Sequence, residues 1–577
     1  MITTQLITEW GERLDPNHVL EEYPRPQLMR DSWLSLNGFW DYAFTDTPDY
    51  PDFFEGTILV PFSPESLLSR VHRQLMPDGY LWYERTLPIH SILSEKRCIL
   101  HFGAADQCAL VLLNGRKACR HVGGYLPFET DITKYLEEGE NTLTVRIQDF
   151  TDQSYHSRGK QSLRPDGMFY TAQSGLWQTV WLEWVPDTYI RDFRITPDID
   201  AETVRFDLAF SGAPGKAAAC PVQYRIYQDG QCVVSGSSLR PSFTVSLPDP
   251  HLWTPEDPHL YLVKLTAGED TVTGYFAIRS YTIERDGGNI PRFCLNHSSL
   301  FLNGVLDQGY WPDGLYTAPS DEALIYDIRK MKELGFNLLR KHGKIEPARW
   351  YYHCDRLGMI VWQDMVNGGG YFKGPHTWIP NVLLPFQKGI SDTSGNYWFF
   401  GRRNQKGREE FVREAAHTMA LLSHFPSVAT YVLFNEGWGQ FEASRLTSVL
   451  KRRFPGSLID SASGWFDQGC GDYDSLHIYF HKLSLRGGGK RRCCVLSEYG
   501  GFACRIPGHM AVTKGFGYRD TQSPAKFRQA FHSALEKEMP SLVAQGLSAA
   551  IFTQLSDVEG ELNGILTYDR KICKLDP

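Results

Sequence analysis

The chain has 577 residues, 42% of them apolar and 22% charged, and a formal net charge of −8. It is too long for one hydrophobic core, so three or four domains are expected. The mild negative charge argues against a nucleic-acid or anionic-membrane partner, and no run approaches the roughly 18 apolar residues of a membrane span.

The opening stretch, MITTQLITEWGERLDP, has no apolar core of a secretory signal. The 12 cysteines form no CxxC pair, and Cys98, Cys108, Cys354 and Cys494 sit in apolar runs where free cysteine acts as a small hydrophobe. A cytoplasmic location is the simplest expectation. Aromatics make up 13% of the chain, with 15 Trp. Such a composition suits sugar-ring stacking and β-rich cores equally.

Residues 1–186 read as a β-sandwich. Short alternating runs recur at 39–44, 98–103, 108–115, 142–149 and 179–185, separated by turn residues. Residues 187–280 contain six or seven more short runs, from VRFDLAF to TVTGYFAI, with the size and rhythm of an immunoglobulin-like β-sandwich. Within 281–577 the pattern changes. Eight apolar runs, polar at their C-terminal ends, begin at 300, 337, 359, 430, 458, 476, 494 and 550. Helices are legible between several of them. Ser320 caps one with Leu324, Ile328 and Met331 on a shared face, and Gly358 stops another. Further helices are expected near 406–423, 441–453 and 523–546. The pattern predicts a (β/α)8 TIM barrel. The multidomain fold class is therefore two β-sandwiches followed by that barrel.

Two irregularities carry expectations. Segment 366–404, with Tyr371, Phe372, Trp378, Tyr397, Trp398 and Arg402, is too long for a connector and predicts a lid. The short stretch after the last strand leaves no room for a final helix. Exposed barrel surface there would need cover from the β-domains or from a second subunit in a homo-oligomer.

Function sits at the C-terminal ends of barrel strands. Glu436 ends TYVLFNE and Glu498 ends CVLSE, each directly after a buried apolar run. Two structural carboxylates are the plain alternative. The pair nevertheless suits glycoside hydrolysis, in which one carboxyl protonates the leaving oxygen and the other attacks the anomeric carbon. Asn435 is placed to bond a sugar 2-hydroxyl. Tyr479 could orient Glu498 or simply fill the core. Arg340 and His342 end the second run, where a guanidinium would keep a nucleophilic carboxylate ionised. Asp307, Asp364 and His477 are placed to accept bonds from sugar hydroxyls, and Trp438, two residues past Glu436, joins the substrate-binding candidates. His477 and His481 lack a third ligand, so no metal is expected there. No GxSxG elbow, P-loop or HExxH motif is present.

These residues resemble glycoside hydrolase family 2, which includes β-galactosidases, β-glucuronidases and β-mannosidases. The resemblance runs through YPRPQLMRDSWLSLNGFWDYAF (23–44), SGLWQTVWLEWVP (174–186), HLWTPEDPHLYLVKL (251–265), YFAIRS (275–280), FNEGWGQ (434–440) and SEYGG (497–501). It implies a sugar-binding jelly-roll domain first, Glu436 as acid/base, Glu498 as nucleophile and retention of configuration. The substrate implied is a small β-glycoside or oligosaccharide, cut from its non-reducing end, in a β-galactosidase-like manner. β-Glucuronidase, β-galacturonidase and β-mannosidase activities are the alternatives. Family glucuronidases carry an Asn-x-Lys element that holds the sugar carboxylate, whereas ELNGILTYDR (561–570) has no lysine before Gly564. WQDMVNGGG (362–370) offers only Asp364 where large β-galactosidases bind magnesium, so no cofactor is expected. Two readings from other classes stay open. One is a non-catalytic carbohydrate-binding protein. The other is a barrel lyase or aldolase using Lys341 or Lys344.

Overall fold

The computed structural model describes residues 4–87, 89, 96–212, 221–370, 390–485 and 491–576. The first unit is an antiparallel sandwich. A six-stranded sheet includes Gly38–Thr45, Tyr80–Leu87, Asn141–Gln148 and Cys108–Leu113, and a four-stranded sheet includes Arg97–Phe102 and Val180–Val185. Alternate residues such as Leu143, Val145 and Ile147 turn inward onto Leu100, Phe102 and Leu182. That alternation is the period of two that a half-buried strand imposes. The second unit has three strands (Tyr189–Asp198, Thr203–Ser211, Ser242–Ser246) facing four (Val222–Gln228, Gln231–Ser238, Tyr261–Ala267, Asp270–Phe276). Arg30 ties the two sandwiches together. It is buried between Glu183 of the first, at 2.9 Å, and Asp270 of the second, at 3.0 Å.

The third unit is the parallel barrel: β1 (Leu302–Asp307), β2 (Leu338–Lys341), β3 (Ile360–Asp364), β4 (Val428–Val432), β5 (Leu458–Asp460), β6 (Tyr473–Ile478), β7 (Cys493–Gly500) and β8 (Leu547–Thr553). Parallel ladders join β1 to β5 in sequence, then β6 to β7, β7 to β8 and β8 to β1. Among the described pairings, only the seam between β5 and β6 lacks a ladder. Leu306, Leu338, Ile360, Trp362, Val495 and Ile551 fill the interior. Tyr281, Phe293 and Leu295 of a hairpin (Tyr281–Arg285 with Pro291–Leu295) plug the N-terminal end.

The helical ring is less regular than eight repeats would make it. Among the described residues it comprises α1 (Asp321–Glu333), α2 (Ala348–Leu357), α3 (Gln405–Leu422), α4 (Ala443–Arg453) and α5 (Pro524–Gln545). No helix follows β5, β6 or β8 there. Ser320 caps α1 through the Ala323 amide, and Gly358 ends α2 at φ +72°. α5 loosens to a π-turn over Ala534–Glu538. Pro540 lies just beyond, and its ring can neither donate to an α-helical ladder nor fit beneath it.

Among the described residues no helix after β8 covers the surface near β1 and β8. The chain's own residues 554–576 lie along it. Ile565, Leu566 and Cys573 enter the core between barrel and helices, and Lys574 pairs with Asp557 at 2.6 Å. Buried Arg570 reaches Asp327 on α1 at 3.1 Å and stacks over Trp311. Arg570→Met leaves Asp327 buried without its cation. A loss of about 3–5 kcal/mol is expected from such a change, read as a lowered midpoint in chemical denaturation. The cysteines among the described residues are free thiols. No helix there is long and apolar enough to cross a membrane.

Candidate active site

Strand pleating decides which polar residues enter the barrel mouth. On β2 and β3 the inward series are Leu338–Arg340 and Ile360–Trp362–Asp364. On β1 the inward residue is Leu306, so Asp307 turns outward. There it bonds Lys341 at 2.6 Å, within a buried network that includes Glu346 and Lys344. Asp307 is therefore not brought to the two glutamates, contrary to the expectation that it would meet sugar hydroxyls. Lys341 and Lys344 are committed to the same network.

Glu498 sits near the end of β7. The β6–β7 register slips there, pairing Leu476 with Leu496 and His477 with Glu498. Ser497 is the extra residue, a bulge of the kind that re-aims a side chain. Glu436 lies beyond β4 in a left-handed turn at φ +53°. Such a backbone costs a non-glycine residue of order 1–3 kcal/mol and recurs at functional sites. Its neighbour has to be glycine: a Cβ on Gly437, at φ +77°, would stand 2.3 Å from the Phe466 ring.

The two carboxylates meet through His477. Its Nδ1 lies 2.8 Å from Glu436 Oε1 and its Nε2 lies 3.5 Å from Glu498 Oε1. One oxygen of each glutamate and a ring nitrogen of His477 all lie within 4.8 Å of one another. Nε2 also contacts Ser463 Oγ at 3.0 Å, and a buried chain continues through Ser497 and Ser475 to Asp460. His477 is thus fully committed beneath the glutamates and is not free for a sugar hydroxyl.

Arg340 is completely buried. It forks onto Asp364 with two 2.9 Å bonds and donates to Asn435 Oδ1 at 2.9 Å, Ser497 O at 3.0 Å and Glu498 Oε1 at 3.1 Å. His342 completes the shell of Asp364. Asp364 consequently serves Arg340 rather than offering free oxygens. Tyr479 donates its phenol to Glu498 Oε2 and stacks on Tyr518 at 3.8 Å. Burial alone would raise the Glu498 pKa, but the positive charges of His477 and Arg340, with His342 and Lys160, override it and hold it at about 2. The Tyr479 phenol moves the other way, raised by burial and by the Glu498 charge, and stays protonated.

Sequence reasoning missed that one wall of the cleft comes from the first sandwich. Gly159, Lys160, Met168 and Phe169 line it opposite His342, Asp364, Asn435, Glu436 and Trp438. The connection between the strands at 141–148 and 180–185 carries them. It is pinned by the Arg158 and Gly159 amides, both 2.9 Å from Asn367 O. A Cβ on Gly159 would come within 2.4 Å of Gly343 O. Phe169 meets the Trp438 ring edge-on at 6.0 Å, and Arg158 lies over that ring at 5.2 Å. The available signal was a connection rich in Gly, Arg and Lys, long for a sandwich loop. Of the lid residues, Tyr371, Phe372 and Trp378 lie outside the described residues. Tyr397 bonds Glu442 at 2.6 Å, and Arg402 is buried, donating to Gly439 O and Asn367.

Paired carboxylates at the C-terminal mouth of a parallel barrel are the constellation of glycoside hydrolysis, and comparisons with known proteins point the same way. Residues 70–192 match the model for the sugar binding domain of glycosyl hydrolases family 2, and residues 188–279 match a second model of that family. Residues 70–279 thus resemble the two non-barrel domains of glycosyl hydrolases family 2. It is 27% identical over 365 residues to a β-galactosidase of Lactococcus lactis, covering 60% of this chain and 34% of that protein. It is 26% identical over 391 residues to the β-glucuronidase of Felis catus, covering 59% and 58%. The matched stretch thus spans about a third of the first of these relatives. Among solved structures, a β-glucuronidase from an uncultured Clostridium superposes with a TM-score of 0.72 at 18% identity, covering 95% of this chain and 97% of that one. A family 2 β-galacturonidase from Eisenbergiella tayi bound to galacturonate gives 0.71 at 17% identity, covering 96% and 97%. These likenesses establish the shared fold of two sandwiches and a barrel.

Proposed function

We propose that the protein is a retaining, exo-acting β-glycosidase that works by double displacement. The observation that carries this reading is the convergence of two buried glutamates, with one oxygen of each inside a 4.8 Å cluster. Retaining enzymes hold their carboxyl groups about 5–5.5 Å apart, whereas inverting ones need about 6.5–9.5 Å to admit a water. In this reading Glu498 attacks the anomeric carbon. Arg340 and Tyr479 keep it ionised and aimed, so it is a nucleophile and not an acid. Glu436 protonates the departing oxygen and then activates the water that releases the sugar. Asn435, oriented by Arg340, faces the 2-hydroxyl. Asp364, His342 and His477 are positioning residues. Trp438 and the 390–404 segment border the leaving-group side.

The relatives named β-galactosidase support a β-galactosidase-like activity, and the solved structures named β-glucuronidase or β-galacturonidase support a uronide. A panel of nitrophenyl β-glycosides, with product stereochemistry followed by NMR, tests the reading. Inversion, or no hydrolysis of any member, overturns it.

The charge pattern adds a pH consequence. Glu498 is depressed from 4.5 to about 2. Its contribution to stability is therefore fully present above about 4.5 and is lost as pH falls toward 2. Arg340→Gln removes one of the cations responsible and raises that pKa. The acidic limb of kcat/KM should then move to higher pH. An unmoved limb would mean that Arg340 does not hold the nucleophile ionised.

A further inference from the structure

Lys160 stands apart from the other cations of the cleft. Arg340 is consumed by Asp364, Asn435 and Glu498, and Arg158, which donates to Gln161 O, is buried beneath the Trp438 face and does not line the cleft. Lys160 lines the same cleft as Glu436, Asn435, Asp364 and His342. Among the described residues its ammonium forms no ion pair or hydrogen bond, only a 5.8 Å approach to the Tyr170 ring.

Its mount is rigid. The Arg158 and Gly159 amides grip Asn367 O, Gly159 leaves no room for a side chain against Gly343, and the Lys160 carbonyl accepts from the Tyr170 amide at 2.9 Å. Lysine is a compact, strongly hydrated charge. Half-buried in the cleft with no anion in direct contact among the described residues, it retains the capacity to bind one.

We propose that Lys160 is a specificity residue that selects a β-glycoside whose terminal sugar carries an anionic group, a carboxylate or a sulfate ester. The selection presupposes the glycosidase reading above and narrows it to acidic sugars. The anion is recognised from the sandwich, while the barrel supplies the two glutamates. Electrostatic attraction also raises the local concentration of an acidic substrate in the cleft.

The test compares wild type, Lys160→Met and Lys160→Arg on nitrophenyl β-glucuronide, β-galacturonide, β-glucoside, β-galactoside and 6-sulfo-β-galactoside. A charged hydrogen bond is worth about 1.5–3 kcal/mol, so Lys160→Met should lower kcat/KM on the acidic substrate by about 10- to 150-fold. The neutral glycosides should lose far less than the acidic one, any loss common to all five reflecting the Lys160 charge near Glu498, and Lys160→Arg should restore most of the acid-specific loss. The substrate that suffers distinguishes carboxylate from sulfate. An equal loss on all five glycosides, with a shifted acidic limb, would place Lys160 in service of Glu498 and overturn the proposal, as would no loss on any.

Calorimetric titration of Glu498→Gln protein with glucuronate, galacturonate, galactose 6-sulfate and galactose separates this proposal from the glycosidase reading. Acid-selective binding abolished by Lys160→Met sustains the selection even if no glycoside is turned over. Binding without acid preference ends it.

Discussion

Glu498→Gln stops turnover, with kcat falling on the order of 10⁴-fold or more, the scale seen when a nucleophile is removed from a covalent mechanism. The amide retains the shape of the carboxylate and cannot attack carbon. The loss should be purely chemical. Asp364 still engages Arg340 through two bonds, and Tyr479 can still donate to the amide oxygen. Substrate affinity should therefore persist and the thermal midpoint should move by only a few degrees. The check is kcat and calorimetric binding measured on the same preparation. Near-native kcat would remove Glu498 from the chemistry. Loss of binding together with a collapsed midpoint would show that the substitution had broken the buried network instead.

Glu436→Ala should separate the two chemical steps. An aglycone that leaves readily, such as dinitrophenolate, needs little protonation, so the first step survives. Release of the sugar then slows by about 10²–10⁴-fold, the usual share of general acid–base catalysis. The glycosyl-enzyme should accumulate as a burst, and poor leaving groups should be cleaved hardly at all. The cavity left by the alanine admits a small anion beside His477, so azide should restore release and give a β-glycosyl azide. Mass spectrometry of the intact protein and NMR of the product read both features. Uniform, unrescued loss across leaving groups would move the proton-transfer role to another residue.

The barrel was legible because its strands are apolar runs that turn polar at one end, as parallel strands buried on both faces must be. α1 and α2 were legible from Ser320 and Gly358, whose capping roles are local. The lack of helices after β5 and β6 among the described residues was not, since tertiary packing decides whether such a stretch coils, whereas the missing helix after β8 was expected from the short stretch that follows it. Nor was Asp307: one residue of pleat sends it outward to Lys341, and a single sequence does not show which parity faces the centre. Glu436 and Glu498 stood out as ionisable groups at the ends of apolar strands. His477 was recognised as polar and near, but its position between both glutamates depends on the Ser497 bulge. The sandwich residues 159–169 were missed altogether, because nothing in local pattern says that a loop will cross to another domain.

That crossing bears on how the protein is made and how it can diverge. His156 and its carboxylate partner Glu410 are 254 residues apart in the chain, so the cleft has no complete wall until the ribosome has delivered most of the barrel. Contacts so remote in sequence are closed late, after the domains have formed their own cores. The sandwich is thus synthesised first, yet it acquires its role in the cleft only on docking. The same separation gives heredity two independent drafts of one cavity. Changes in the 156–169 loop can redraw what enters without altering the strands that carry Glu436 and Glu498.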